Sequence, residues 1–442
     1  MSGVFGFIGR GNAPAEVMMG LQNLSHRGQE SWGIVSSMRG GNFLEFRQLG
    51  SVFQSTFPAK LSFGTAAIGH VRYPTTGETT ERNSQPIVGS FKKERMAVTH
   101  NGHIPRYRQM MEEFGSLFQT DIDTELILHM IARSHGSDMF DKIQNTLSIL
   151  GNRSAFSMII LHNGNLVASR DPFGFRPLSI ARRGEEDDCA WAIASETCAF
   201  HGDLEWIGDV EPGQMAIFDG DDVQTRAFAQ PNPHPCIVEC LDYASPASTV
   251  FSTNAYDFRE KIGQKLAQLE TEKADIVVPI PRAAIPAASG FHHATGISFK
   301  MAIVAIGEIG RIFVISTEKD RYSQAERKFQ INGELVKGKE VFLIDSLLVR
   351  GSTALVLIPK LREAGATKVH LRLTAPPPRF PCLMGMAMAK PGELLAKNRT
   401  DEQLKNLLGV DSFRYLSPTD LRDVAGRRFC DACFTGNYPF SV

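Results

Sequence analysis

Short apolar runs separated by glycine, asparagine and aspartate dominate this 442-residue sequence, and they restrict the chain to layered sheet-and-helix folds. In the first half the runs are strand-sized and close together, which predicts a strand-rich domain. The predicted strands are Gly3–Ile8, Gly69–Tyr73, Met96–Thr99, Ala155–Leu161 and Cys189–Ala194. Between them, residues 123–134 carry apolar side chains at helical spacing behind an Asp-Thr-Glu start. We therefore expect sheets covered by helices.

In the second half, segments of strand length alternate with segments of helix length. This half begins after AQPNPHPC (residues 229–236), a segment dense in proline that suits a connector. Beyond it we predict helices over 256–269, 284–293 and 354–364, and strands over 275–280, 340–344 and 368–373. Such alternation indicates a parallel sheet with right-handed crossovers. The boundary at the connector predicts one domain over residues 2–230 and another over 231–442.

Composition excludes several classes of protein. Lys plus Arg number 47 against 48 Asp plus Glu, so the chain lacks the excess of positive charge that is typical of nucleic-acid-binding proteins. Hydrophobic residues make up 43% and charged residues 21%, which is typical of a soluble globular chain. No apolar stretch approaches the roughly 18 residues that cross a bilayer, so no membrane partner is expected. Seven cysteines without a secretory signal favour a reducing, cytoplasmic location.

Ordered motifs in the first half carry a family resemblance. They are HRGQESWGI (26–34), GHVRYPTTG (69–77), HNG (100–102), DIDTE (121–125) and RDPFGFRPL (170–178), preceded by SGVFGFIG. Together they resemble the glutaminase domain of class II glutamine amidotransferases, and in detail the amidophosphoribosyltransferase family. The resemblance covers nearly the whole chain. It implies an α+β amino-terminal Ntn-hydrolase sandwich (αββα) followed by an α/β phosphoribosyltransferase-type domain with a parallel sheet.

Residue 2 is where this resemblance implies catalysis. In the family, removal of the initiator methionine exposes a cysteine whose thiolate attacks the glutamine amide; here the residue is Ser2. A terminal α-amine has a reference pKa of about 7.7 to 8.0, so near neutral pH it can take the proton of an adjacent hydroxyl or thiol. Ser2 is small enough for the methionine to be removed. A freed serine is chemically competent, although cysteine is the stronger nucleophile.

The resemblance also implies a substrate pocket for a glutamine-like molecule. Asn101 and the N–H of Gly102 would form an oxyanion hole, although Asn-Gly alone is also common in tight turns. Arg72 would clamp the α-carboxylate and Asp123 the α-ammonium, with Arg27 supporting the same pocket. On its own, Asp123 would be read as a helix cap. Trp32 stands where the family usually has a small residue, and we expect it to fill part of the cleft or reshape it.

Glu340–Leu373 resembles the phosphoribosyl diphosphate signature of strand, loop and helix. Gly351, Ser352 and Thr353 suit a 5-phosphate at a helix amino terminus, with Arg350 assisting. In the family the strand ends in two consecutive acidic residues, whereas here Asp345 is followed by Ser346. The diphosphate loop (281–286) and the stretch 305–308 are altered as well, although Gly310 and Arg311 are kept. We therefore expect a degenerate site that has lost phosphoribosyl transfer, with Mg²⁺ bound only if that site is active.

Four cysteines form a separate signal. Cys430 and Cys433 make a C-x-x-C pair, while Cys236 and Cys382 each follow a proline. A lone C-x-x-C fits zinc, a redox pair or nothing. All four positions match the ligands of a [4Fe-4S] cluster in one branch of the family, where it is structural, so we favour that cluster over zinc. The remaining cysteines, Cys189, Cys198 and Cys240, are expected to be buried apolar residues.

Several functional hypotheses follow. The first is an Ntn enzyme that cleaves a glutamine-type amide through residue 2 by an acyl-enzyme, giving hydrolysis or acyl transfer to an amine acceptor. The second takes Ser2 as an engineered replacement of a native cysteine. The third is the purine-pathway glutamine phosphoribosylpyrophosphate amidotransferase. The fourth is a non-catalytic structural or regulatory homologue. Family membership also implies a homo-oligomer.

Overall fold

The computed structural model describes most of the chain. The described residues are 1–37, 42–58, 61, 63–73, 76–91, 94–115, 118–184, 189–220, 222–306, 323, 325–386, 391–426 and 428–440. Of the positions named above, Gly307, Glu308, Gly310 and Arg311 lie outside these ranges.

The first half folds into two antiparallel sheets. The strands are β1 (Gly3–Ile8), β2 (Ser31–Ser37), β3 (Leu44–Leu49), β4 (Ala66–Arg72), β5 (Ile87–Phe91), β6 (Glu94–His103), β7 (Ala155–His162), β8 (Asn165–Arg170), β9 (Ser179–Arg183), β10 (Ala190–Ala194), β11 (Glu205–Asp209), β12 (Gln214–Phe218) and β13 (Val223–Ala227). The helices are α1 (Ala13–Asn23), α2 (Tyr107–Phe114), α3 (Asp123–Arg133) and α4 (Met139–Gly151). One sheet has the order β11-β9-β10-β1-β4-β2-β3 and the other β13-β12-β8-β7-β6-β5.

Four layers result from how the apolar side chains alternate. One core lies between the two sheets, where Val4 and Ile68 of the first pack with Ile159 of the second. Helix α1 covers the outer face of the first sheet through Val17 and Leu21. Helices α3 and α4 cover the outer face of the second sheet. The predicted αββα sandwich is confirmed.

The second half contains a parallel sheet with the strand order β17-β16-β20-β21-β22. Its strands and those nearby are β14 (Thr249–Val250), β15 (Thr253–Asn254), β16 (Ile276–Pro279), β17 (Ser298–Phe299), β18 (Ile303–Ala305), β19 (Phe329–Ile331), β20 (Glu340–Asp345), β21 (Lys368–Leu373) and β22 (Ser412–Tyr415). The helices are α5 (Ala255–Gln268), α6 (Ile285–Thr295), α7 (Gly333–Val336), α8 (Ser352–Glu363), α9 (Asp401–Leu408), α10 (Pro418–Ala425) and α11 (Ala432–Thr435), and Glu239–Tyr243 forms a π-helical turn.

Helices cover both faces of this parallel sheet. Phe342 and Ile344 point to the face packed by α5 and α6, whereas Val341 and Leu343 point to the face packed by α8. Strands buried on both faces need consecutive apolar residues, which explains the unbroken run Val341–Ile344. The predicted α/β class is confirmed. Among the described residues, no helix has the length and apolar character needed to span a membrane.

Candidate active site

A pocket of about 300 Å³ opens in the first half, and five of the six predicted pocket residues line it. Ser2 precedes β1, Arg72 ends β4, Asn101 and Gly102 lie near the end of β6, and Asp123 begins α3. The adjacent strands β1 and β4 of one sheet, β6 of the other sheet and the start of α3 thus bring together residues more than a hundred positions apart.

Ser2 is buried and is held at three of its atoms. Its backbone N–H donates to Oδ1 of Asn101 at 3.2 Å, and its Oγ accepts from the backbone N–H of Tyr73 at 3.3 Å. Its carbonyl oxygen accepts from Nε of Arg27 at 2.9 Å. The nitrogen and the hydroxyl of residue 2 therefore sit side by side at the pocket wall.

Asn101 and Gly102 belong to strand rather than to a turn. They lie opposite Ser157 and Phe156 in the β6–β7 ladder. A Cβ at position 102 would lie 1.9 Å from the carbonyl oxygen of Ala155, so only glycine fits there. Nδ2 of Asn101 is buried and has no hydrogen-bond partner among the described residues. An unpartnered buried donor is costly, and this one lines the pocket beside Ser2.

Asp123 is a buried carboxylate inside the pocket rather than the cap of α3, since Ile122 occupies the cap position. It accepts from the backbone N–H of Ile104 at 3.0 Å and from Oγ1 of Thr76 at 3.2 Å. Burial opposes its charge, but hydrogen bonding and charge from His103 and His100 hold its pKa below the usual value. Asp123 is therefore an anion suited to an ammonium group.

Arg72 lies on the other side of the pocket. Its guanidinium donates to the carbonyl oxygens of Glu78 at 3.1 Å and Thr76 at 2.7 Å. Burial lowers its pKa from the ordinary arginine value, and nearby acidic residues oppose this. An arginine stays charged at neutral pH, so the pocket presents a cation and an anion at separate points.

Arg27 lies behind the pocket and does not line it. Its guanidinium is fully buried and forms ion pairs with Glu196 and, at 3.0 Å, with Glu239. Burial opposes both charges, but Glu239 and Glu196 raise the pKa of Arg27, and His26 together with Arg27 lowers the pKa of Glu196. Its predicted contribution to substrate binding is therefore indirect, through the carbonyl of Ser2.

The expectation that Trp32 shapes the cleft is wrong. Trp32 is fully buried in β2, where its ring lies 5.0 Å from that of Phe46. It packs in the core between the first sheet and α1. Its strand position points the side chain to the helix-covered face, which a motif comparison does not reveal.

The predicted phosphoribosyl elements gather at the carboxyl end of β20. Gly351 has a φ of +77° and caps helix α8, whose first residues are Ser352 and Thr353. Arg350 pairs with Glu393 at 2.7 Å. Asp345 is buried, and burial together with the charge of Asp242 raises its pKa to about 7.

Asp242 belongs to no motif in the sequence, yet its side chain contacts the altered position, Ser346. Its Oδ1 accepts from Oγ of Ser346 at 2.7 Å. Asp242 lies in the π-helical turn Glu239–Tyr243, 104 residues away along the chain. A second carboxylate therefore stands near Asp345 although residue 346 is a serine.

The four predicted ligand cysteines line one cavity of about 320 Å³. Cys236 and Cys430 form a backbone bridge, Cys433 lies on α11, and Cys382 arrives from a separate segment. All four thiols are free. Apolar neighbours including Phe175 and Met384 complete the wall. A shared cavity lined by four thiols fits a bound group larger than a single ion.

The remaining cysteines separate into two kinds. Cys189 and Cys240 are buried, as expected, whereas Cys198 is only partly buried. Ligand atoms of Cys198, His26 and Glu196 lie within 4.8 Å of one another. Glu196 already pairs with Arg27 and accepts hydrogen bonds from the Ser248 hydroxyl and the backbone N–H of Ser245. These contacts give the carboxylate a structural role.

Comparison with known proteins gives concordant matches. Residues 70–202 match a family model described as the glutamine amidotransferase domain. A curated amidophosphoribosyltransferase of Bacillus subtilis is 35% identical, covering 100% of this chain and 94% of that protein. The amidophosphoribosyltransferase of Methanothermobacter thermautotrophicus is 36% identical, covering 96% of this chain and 91% of its own.

A solved structure agrees along the whole chain. It is described as glutamine phosphoribosylpyrophosphate amidotransferase from B. subtilis complexed with ADP and GMP. The TM-score is 0.89 at 34% identity, and the match covers 99% of this chain and 97% of that one. Both halves thus have counterparts in one relative.

Proposed function

This chain belongs to the amidophosphoribosyltransferase family and has a glutamine amidotransferase domain, and from that premise we propose that it cleaves the side-chain amide of glutamine at residue 2 and transfers the released ammonia to phosphoribosyl diphosphate. The observation that carries the first half of this reaction is the contact between Ser2 and Asn101 inside a pocket that also holds Arg72 and Asp123.

The amide-cleaving step follows from these neighbours. With Met1 removed, the α-amine of Ser2 takes the proton of Oγ, and Oγ attacks the side-chain carbonyl carbon of glutamine. Nδ2 of Asn101 and the N–H of Gly102 stabilise the oxyanion. The carbon–nitrogen bond then breaks, the α-ammonium returns its proton to the leaving nitrogen, and ammonia departs. Water hydrolyses the remaining glutamyl ester and releases glutamate.

The substrate would be oriented by opposite charges. Arg72 pairs with the α-carboxylate of glutamine and Asp123 with the α-ammonium, which leaves the side chain directed at Ser2. Charge-assisted hydrogen bonds of this kind are each worth about 1.5 to 3 kcal/mol. An uncharged amide would lack both contacts, so the pocket selects a free amino acid.

The altered motif predicts that phosphoribosyl transfer has been lost. Similarity to amidophosphoribosyltransferases along the whole chain instead supports transfer of ammonia to phosphoribosyl diphosphate. Asp242 strengthens this proposal because it places a second carboxylate beside Ser346, where the motif lacks one. With Asp345 it would hold ribose hydroxyls or the Mg²⁺ of the substrate, while the start of α8 would receive the 5-phosphate.

A second candidate is an amide-cleaving enzyme without phosphoribosyl transfer. The loop 281–286 favours this candidate. Ala284 is buried at the start of α6, and a side chain in this loop restricts the close approach of the backbone to a diphosphate. Calorimetry with phosphoribosyl diphosphate and Mg²⁺ separates the two. Saturable binding, with consumption of the diphosphate that depends on glutamine, supports the first proposal, and no binding leaves only the second.

The cysteine cavity would hold a [4Fe-4S] cluster, ligated by Cys236, Cys382, Cys430 and Cys433. Zinc bonds of about 2.3 Å would bring four sulfur atoms within ~4 Å of one another. A cavity of about 320 Å³ lined by all four cysteines supports the larger cluster over a single zinc ion. When bound, the cluster would cross-link the chain segments that carry its ligands. Iron and sulfide analysis of anaerobically purified protein tests this assignment.

A further inference from the structure

A continuous chain of buried charges runs from the cysteine cavity to residue 2. Arg176 lies in RDPFGFRPL, directly after Phe175, whose side chain lines that cavity. Nη1 of Arg176 lies 3.7 Å from Oε1 of Glu239. Glu239 in turn receives two bonds from Arg27, at 3.0 and 3.1 Å. Arg27 then donates to the carbonyl of Ser2.

Arg176 is turned toward the cysteines at the other end. It is fully buried, and its Nη2 donates to the carbonyl oxygen of Met384, a wall residue of the cavity. The carbonyl oxygen of Phe175, the residue before Arg176, accepts from the backbone N–H of Cys236 at 3.2 Å, and the backbone N–H of Met384 donates to Sγ of Cys382 at 3.4 Å. Nε and Nη1 of Arg176 donate no hydrogen bond among the described residues. A buried cation that has spare donors and bonds a wall residue of the cysteine cavity is suited to stabilise anionic sulfur ligands.

We propose that Arg176 is a positioning residue that stabilises the anionic cysteine-ligated cluster and, through Glu239 and Arg27, links the cluster site to the main chain of residue 2. The inference rests on the proposed glutamine cleavage and cluster. Four buried charges, two arginines with Glu196 and Glu239, balance one another, so removal of one leaves an uncompensated charge. The disturbance then reaches the carbonyl that Arg27 holds.

The test uses anaerobically purified holoprotein and the variants Arg176→Gln and Arg176→Lys. Arg176→Gln removes a positive charge near the cluster. Because such a charge favours the reduced state, its loss should shift the midpoint potential of the cluster to more negative values. It should also lower kcat for glutamine about tenfold with KM unchanged, since Arg72 and Asp123 remain in place. Arg176→Lys should restore the midpoint potential of the cluster more than it restores kcat. Lysine keeps the positive charge but lacks the planar set of donors of the guanidinium.

Arg170→Gln is the matched control. Arg170 is a buried arginine of the same motif, and its guanidinium donates to the carbonyl oxygens of Val210 and Gly174. This variant should lose stability while keeping the potential and kcat. A double-mutant cycle with Glu239→Gln adds a second measurement, and the kcat losses of Arg176→Gln and Glu239→Gln should be non-additive if the chain is continuous.

The outcomes separate the inference from the proposals beneath it. Wild-type potential and kcat in Arg176→Gln, or equal losses in Arg170→Gln, would overturn it. Wild-type protein that retains no iron after anaerobic reconstitution would overturn it too, while leaving glutamine cleavage intact. Wild-type protein that binds iron but does not cleave glutamine would refute the link to residue 2 and the proposed function together. The midpoint potential of the cluster in Arg176→Gln would still show whether Arg176 stabilises the anionic cluster.

Discussion

The backbone nitrogen of Ser2 lies 3.2 Å from Oδ1 of Asn101, and Nδ2 of the same amide is buried without a hydrogen-bond partner among the described residues. One side chain thus orients the nitrogen of residue 2 and presents a donor to the pocket. In the proposed reaction, Asn101 would couple the position of the α-amine of residue 2 to the position where negative charge develops.

Asn101→Ala should lower kcat for glutamine by a factor of about 10² to 10³, because one oxyanion donor is lost. KM should change little, since Arg72 and Asp123 make the ground-state contacts. Steady-state kinetics of glutamate release measures both constants. A large rise in KM at constant kcat would mean that Asn101 binds substrate in its ground state.

Arg72→Lys should raise KM for glutamine about tenfold or more, because a lysine cannot form the two-pronged contact with a carboxylate. The control is Arg47→Lys, since Arg47 also donates to a backbone carbonyl, that of Pro86, without lining the pocket. Kinetics on both variants makes the comparison. Equal effects would indicate a general loss of stability.

Binding of phosphoribosyl diphosphate with Mg²⁺ should strengthen as the pH rises. The free carboxyl of Asp345 has a pKa of about 7 because it is buried near Asp242, and the ligand favours its ionised form. The affinity should therefore increase from about pH 6 to about pH 8. Calorimetry across this range measures it.

The controls for the pH effect are two asparagine variants. Asp345→Asn should bind weakly, and its affinity should depend less on pH over the same range, because only the phosphates of the ligand then titrate. Asp411→Asn should behave like the wild type, because Asp411 bonds the backbone of Val369 near the start of β21. A pH dependence in Asp345→Asn as large as that of the wild type would assign the titration to another group.

Cys433→Ser should lose the cluster and lower the melting temperature, because the proposed ligand that joins α11 to the segments of Cys236 and Cys382 is gone. Cys189→Ser is the control, since Cys189 is buried in the first half, outside the cysteine cavity. Iron content and thermal unfolding under anaerobic conditions measure both effects. Equal iron content in the two variants would remove Cys433 from the ligand set.

Sequence motifs locate residues whose chemistry depends on local spacing. The positions of Ser2, Asn101 and Asp123 follow from motifs, and α3 begins where the Asp-Thr-Glu pattern predicts. The layered architecture also follows, because alternating apolar runs leave few ways to bury both faces.

Contacts between distant segments could not be predicted in this way. The bond between Asp242 and Ser346 spans 104 positions, and the pairing of Arg27 with Glu239 spans 212. The first depends on how the second half folds, and the second on how the two halves pack against each other. Trp32 shows the converse case, because its departure from the family motif suggests a role in the cleft, whereas the side chain is buried in the core.

The central claim is that residue 2 attacks glutamine, and one incubation tests it. Wild-type protein, Ser2→Cys and Ser2→Ala are mixed with glutamine after intact mass has established that Met1 is absent. We predict equal release of glutamate and ammonia by the wild type, turnover at least about tenfold faster with cysteine, a glutamyl adduct on residue 2, and none of these with alanine. Glutamate release by Ser2→Ala at the wild-type rate, or no release and no adduct with either nucleophile, would contradict the account.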